Sequence, residues 1–187
     1  MKTALIIVDT QNDFCPGGGY PGPDGDKIIQ PLNKILAYAR KNGWLIVASK
    51  DWHTRELFED ESKIHCIQNT EGAKHHKDLN IRGNEVIVTK GAHDLGLRHY
   101  SAFNGDEILL NDLFQEKGIE QVYIGGLAYD YCVKNTALDS TKYGYKTIVL
   151  TDATKAVKNN PAQIAEIESE LKQAGVLLST TNNETNS

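Results

Sequence analysis

Several residues able to do covalent or metal chemistry close the apolar runs of this chain. Asp9 ends TALIIVD (3–9), Asp51 ends WLIVASKD (44–51) and Lys90 ends NEVIVTK (84–90). Cys132 comes just after QVYIGGLA (121–128). A thiol, a carboxylate and an ammonium gathered together suit nucleophilic catalysis, in which the carboxylate relays the thiol proton and the cation balances charge. A thiol near a helix N-terminus is further favoured as thiolate, and backbone N–H groups at that turn can bind a developing oxyanion. Asp9, buried at the end of an apolar strand, needs a charged or hydrogen-bonding partner. Lys90 would neutralise both Asp9 and the thiolate.

A second set lies beside the first. Asp51 and His53 are two apart, so in an extended segment their side chains point the same way. His65 can return from the following loop as a third ligand. A carboxylate with imidazoles suits one divalent ion: zinc, with iron or manganese as alternatives. Phe14, Trp52 and Tyr100 neighbour these residues and offer rings for stacking on a flat substrate. Cys15 and Cys66 read as small buried hydrophobes, and Asp13 as a residue that holds the loop after the first run. His75, His76, His93 and His99 read as surface or supporting residues.

The elements that must position this chemistry follow from the hydrophobic pattern. Six runs lack polar alternation, as in strands buried on both faces: 3–9, 44–51, 84–90, 121–128, 146–153 and 176–180. Helical spacing separates most of them, over 26–43, 106–118, 129–144 and 160–175, with Gly43, Gly118, Gly144 and Gly175 as stops and Pro161 near a start. Strand and helix in alternation predict an α/β fold, a parallel sheet covered by helices on both sides. Ligands of such sheets bind beyond the carboxyl ends of the strands, where Asp9, Asp51, Lys90 and Cys132 fall. The stretch 52–83 is polar and lacks a helix, and loops of that length are usually functional.

The 187 residues suffice for one buried core, read as a single domain over 1–180 with a polar, frayed tail at 181–187. A net charge of −5 with no basic cluster argues against a nucleic-acid partner. No apolar stretch approaches membrane-spanning length. Three cysteines and no signal-peptide pattern suit a reducing, cytoplasmic setting. The composition leaves room for a homo-oligomer.

Six segments together carry a family likeness: DTQNDF (9–14), DWH (51–53), HCIQNTEGA (65–73), TKGAH (89–93), YSAF (100–103) and GLAYDYCV (126–133). In order and spacing they resemble the nicotinamidase/pyrazinamidase branch of the isochorismatase-like hydrolases, from about residue 3 to about residue 157. The resemblance implies a three-layer α/β/α sandwich on a six-stranded, mainly parallel sheet. It implies that Asp9 takes the proton of Cys132 and that the thiolate attacks the carboxamide of nicotinamide. Backbone N–H groups of Ala128 and Cys132 would form the oxyanion hole, with a non-proline cis peptide before Ala128. Ammonia would leave, and hydrolysis of the thioester would yield nicotinic acid for NAD salvage. The metal would anchor the pyridine nitrogen, Phe14 and Tyr100 would bracket the ring, and Trp52, Leu127 and Tyr131 would complete the pocket. Glu61, in DESK, or water would supply the further metal ligand that is a histidine in some members. A different small-amide or ureide hydrolase of the superfamily, and a non-catalytic binding module, are the rival readings.

Overall fold

A computed structural model describes residues 1–93, 100–158 and 160–186. Six strands form one sheet in the order β3-β2-β1-β4-β5-β6, and every pairing is parallel. They are β1 (Thr3–Val8), β2 (Leu45–Asp51), β3 (Val86–Lys90), β4 (Gln121–Leu127), β5 (Lys146–Lys155) and β6 (Leu177–Ser179). Each of the predicted runs is a strand. The chain winds outward from β1 to β3, then crosses back to β4 on the other side of β1. The β1–β4 junction is therefore the switch point of the sheet, where a crevice opens at the strand ends.

The helices are α1 (Ile29–Lys41), α2 (Leu110–Lys117), α3 (Lys134–Lys142), α4 (Pro161–Gln173) and α5 (Thr181–Thr185). Strand β1 shows why two layers of helix are needed. Ala4, Ile6 and Val8 face one core with Phe114 of α2, Ala137 of α3 and Leu171 of α4. Leu5 and Ile7 face the other, with Leu32, Ile35 and Leu36 of α1. All six β1 residues are buried, and burying each of the Leu, Ile and Val side chains stabilises by about 1.5–3 kcal/mol. Helix α1 buries Leu32, Ile35, Leu36 and Ala39, the three- and four-residue spacing of one helix face.

Gly126 lets β4 close on β1. Its φ is 125°, and a Cβ there would lie 2.0 Å from the Val8 carbonyl oxygen. Only glycine fits such an approach, and the approach brings the turn after β4 up against the residue after β1.

Two expectations need correction. The helix expected over 106–118 begins at Leu110, because Asp106 is engaged elsewhere: its backbone N–H donates to Thr89 O, and its carboxylate accepts from Ala92 N. Of the tail expected to fray, Thr181–Thr185 instead form α5. Thr181 donates through its backbone N–H and its hydroxyl to the Asp152 carboxylate, at 2.8 and 2.6 Å. Glu184 accepts from Tyr123 and Ser179, each at 2.6 Å. Between β2 and β3 the long segment holds only short 3-10 turns at Arg55–Leu57 and Glu61–Lys63 and two isolated bridges, Gln11 with His75 and His53 with Ile67. Among the described residues no helix is long and apolar enough to cross a membrane.

Candidate active site

Lys90 is the last residue of β3 and lies fully buried. In register beside it stands Asp51, the last residue of β2. The Lys90 ammonium pairs with the Asp51 carboxylate through Oδ1 and reaches past β2 to Asp9, 2.7 Å from Oδ2. Asp9 follows β1 with a left-handed φ of 39°, uncommon for a side chain larger than hydrogen. That bend points its carboxylate into the crevice. Ser49 holds it there, donating from Oγ to Asp9 Oδ1 at 2.7 Å while accepting from the Asp9 backbone N–H at 3.3 Å.

Cys132 arrives from the opposite side of the switch point. After β4 the chain makes a π-helical turn over Tyr129–Val133 before continuing into α3. The cis peptide expected before Ala128 is present, between Leu127 and Ala128. The turn places Cys132 Sγ 3.7 Å from Lys90 Nζ. Asp130 anchors the same turn, its carboxylate accepting from the backbone N–H groups of Val157 and Lys158 at 2.9 and 3.2 Å. Asp9, Lys90 and Cys132, far apart in the chain, therefore meet in one buried cluster.

The ionisation pattern follows from that burial. Desolvation raises the Asp9 carboxyl above the ordinary carboxylate range, and Lys90 only partly opposes it. Asp51 is desolvated too, but Lys90 and His53 together outweigh burial and hold its carboxyl below the ordinary range. Burial would strip Lys90 of its proton, yet Asp51, Asp9 and Cys132 push its ammonium well above the usual lysine value. Burial, with Asp9 and Asp51, pushes the Cys132 thiol well up despite Lys90. Burial thus opposes the thiolate that the helix dipole and Lys90 favour.

Asp51, His53 and His65 each offer a ligand atom, all within 4.8 Å of one another. The Nε2 atoms of His53 and His65 lie 3.7 and 3.9 Å from Asp51 Oδ2. Tetrahedral coordination with bonds of about 2.0–2.1 Å puts donors about 3.4 Å apart, so this set fits a metal ion after small adjustment. The other ring nitrogens support that role. His53 Nδ1 meets Gly91 O at 2.8 Å, and His65 Nδ1 meets Lys63 O at 2.6 Å. Donation to a carbonyl leaves Nε2 as the ligating nitrogen, the usual outer-shell arrangement of metal-binding histidines. Burial also lowers the His65 pKa, favouring the neutral ring a metal requires.

The isochorismatase domain model matches residues 3–182. The nicotinamidase of Escherichia coli (strain K12) is 34% identical, covering 95% of this chain and 94% of its own. The nicotinamidase/pyrazinamidase of Mycobacterium tuberculosis is 35% identical over 94% and 97%. Among solved structures, a pyrazinamidase of Pyrococcus horikoshii in complex with zinc superposes with a TM-score of 0.86 at 35% identity, covering 96% of this chain and 99% of that one. The chain belongs to the nicotinamidase branch of the isochorismatase-like hydrolases.

Not every expected site residue joins the cluster. Glu61 does not reach the ligand group: its 3-10 turn faces outward, its side chain is 86% exposed, and it pairs with Arg55 at 3.0 Å. Trp52 alternates away from Asp51 and His53, its ring beneath the Lys50 ammonium at 4.3 Å. The Leu127 side chain, 2% exposed, packs into the core on the α1 side. Phe14 does lie at the ligand group, its ring centroid 5.3 Å from that of His65. Tyr100 and Tyr131 pair at 5.5 Å on the Cys132 side, and the nearby thiol adds to the burial that raises the Tyr100 phenol. Cys15 and Cys66 are buried thiols, raised by desolvation, Cys15 to about 11. His99 lies outside the described residues. Asp13 holds its loop as expected, accepting from Gly19 N and Cys66 N at 2.8 and 2.7 Å.

Sequence reasoning missed Gln11, Ser49 and Phe58. Gln11 is fully buried and locks the Asp51 backbone from both directions: its Nε2 donates to Asp51 O and its Oε1 accepts from Asp51 N, both at 2.8 Å. Phe58 stands edge-on to His53 and His65. A polar residue two places beyond a catalytic strand end, and one two places before a ligand, were the available signals for Gln11 and Ser49.

Removing the cation should expose this electrostatic design. Lys90→Met leaves two carboxylates buried without their partner, which costs about 3–5 kcal/mol near neutral pH. In the wild type the depressed Asp51 carboxyl adds stability above its unfolded pKa, and that share is lost as pH falls through the folded value. Without Lys90 both carboxyls rise, and the variant regains stability as acid protonates them. Urea unfolding at pH 7 and at pH 5 should show the gap between the two proteins narrowing at the lower pH; a gap constant with pH would contradict the pairing.

Proposed function

We propose that this chain is a nicotinamidase that hydrolyses nicotinamide to nicotinic acid and ammonia through a thioester on Cys132, in NAD salvage, and that it also accepts pyrazinamide. The observation that carries the reading is Lys90 Nζ held 2.7 Å from Asp9 Oδ2 and 3.7 Å from Cys132 Sγ inside a buried cluster. Asp9 takes the Sγ proton as sulfur bonds to the carboxamide carbon. The carbonyl oxygen becomes an oxyanion held by the backbone N–H groups of Ala128 and Cys132. Asp9 returns the proton to nitrogen, the C–N bond breaks and ammonia leaves. Water then attacks the thioester, giving its proton to Asp9, and the C–S bond breaks to release the acid and restore the thiol. Lys90 stays charged throughout and offsets each anion formed beside it.

Asp51, His53 and His65 would hold one divalent ion, with water rather than Glu61 filling further positions. One carboxylate and two imidazoles with open positions suit zinc and iron alike, and the zinc complex of the Pyrococcus horikoshii pyrazinamidase supports zinc. When bound, the ion supplies a Lewis-acidic contact for the ring nitrogen of the substrate. Phe14, Tyr100 and Tyr131 would line the ring's pocket. This chemistry calls for a small flat amide and for no nucleic-acid or membrane partner.

Ammonia release from nicotinamide by the purified protein tests the reading, with Cys132→Ala as control. The wild type should turn over at ordinary enzymatic rates, while the variant, folded by circular dichroism, should lose at least about a thousandfold in kcat. Substantial turnover by Cys132→Ala, or none by the wild type, would refute it. For the metal, elemental analysis should find one divalent ion per chain, absent from His53→Ala. That variant should bind nicotinamide far more weakly, and benzamide, which has no ring nitrogen, with a smaller loss. Equal losses for the two amides would contradict the assigned contact.

A further inference from the structure

We infer that Tyr20 is a specificity-determining residue, an aromatic wall on the metal side of the pocket mouth that limits substituents on the substrate's ring. This inference rests on the nicotinamidase reading. The Tyr20 ring stacks on His65, with centroids 5.2 Å apart and planes 27° from parallel. Phe14 lies against the same imidazole at 5.3 Å and Phe58 at 5.2 Å. Phe14 and Phe58 are more enclosed, whereas Tyr20 keeps 37% of its surface in solvent. A large aromatic side chain left that open beside a proposed metal ligand stands where a substrate ring must enter. Tyr100 and Tyr131 pair at 5.5 Å on the nucleophile side.

The wall is rigidly mounted. The Tyr20 backbone N–H donates to Asp13 O at 3.0 Å, and the Asp13 carboxylate accepts from Gly19 N and Cys66 N. Cys66 adjoins His65, so a single carboxylate fixes both members of the stack relative to each other. Gly18 lets the loop lie flat on the 12–14 turn, where a Cβ would come within 2.2 Å of Asn12 O. An aromatic wall so held does not yield to a bulky ring substituent, and it contributes contact area to an unsubstituted one.

The test compares nicotinamide with 5-methyl- and 6-methylnicotinamide in the wild type, Tyr20→Ala and Tyr20→Phe, with metal content measured for each. Tyr20→Ala should keep its ion and raise KM for nicotinamide about two- to tenfold, with a smaller change in kcat. It should also shift kcat/KM toward one or both methylated amides by about tenfold relative to nicotinamide. Tyr20→Phe should restore the wild-type ratio, because the ring forms the wall. An unchanged ratio in Tyr20→Ala would overturn the inference. Loss of the ion in that variant would also overturn it, making Tyr20 a support of His65 instead. A wild type that releases ammonia from none of the three amides would overturn the nicotinamidase reading first, and this inference with it.

Discussion

The site depends on one buried ammonium. Lys90 has no solvent exposure and cannot stay charged there without anions on more than one side. Asp51 meets it from the neighbouring strand and Asp9 from the strand beyond, and Cys132 completes the ring from the far side of the switch point. The fold makes this arrangement available only at the carboxyl ends of β3, β2, β1 and β4, where consecutive neighbours in the sheet present side chains to one crevice. In the proposed mechanism the same ammonium would offset negative charge formed on sulfur and oxygen with little reorganisation, which is how a preorganised environment lowers a barrier.

Asp51 joins the two halves of the site. Its Oδ1 pairs with Lys90 and its Oδ2 faces His53 and His65. A positive charge bound by the histidines and the ammonium of Lys90 would therefore draw on one carboxylate from opposite sides. Gln11 accounts for the stiffness this sharing needs, since it clamps the Asp51 main chain through both its amide atoms. Ser49 fixes Asp9 through its hydroxyl, which donates to the carboxylate and accepts from the backbone N–H. Neither side chain needs to touch a substrate; both fix where the reacting carboxylates point.

Much of this was legible in the sequence. Continuous runs such as TALIIV and QVYIGG read as doubly buried strands because no polar alternation interrupts them, and their last residues marked Asp9, Asp51, Lys90 and the approach to Cys132. What escaped depends on tertiary contacts. Gln11 looks like an ordinary loop polar residue until the chain returns to place Ala73 O beside it. Glu61 has the right chemistry and distance along the chain for a ligand, but its turn carries the side chain outward to Arg55. The C-terminal helix is five residues of threonine, asparagine and glutamate with poor intrinsic propensity; Asp152, Tyr123 and Ser179 stabilise it. The upward push of burial on the Cys132 thiol was also out of reach, because it depends on the packed surroundings and not on sequence position.

The central claim is that Cys132, beside Asp9 and Lys90, is the covalent nucleophile. Partial alkylation with iodoacetamide, followed by peptide mapping and ammonia release from nicotinamide on the same samples, tests it most directly. Remaining activity should fall in proportion to the fraction of Cys132 modified, whatever the state of the more deeply buried Cys15 and Cys66, and saturating nicotinamide should protect it. Full activity in protein whose Cys132 is completely alkylated would contradict the account.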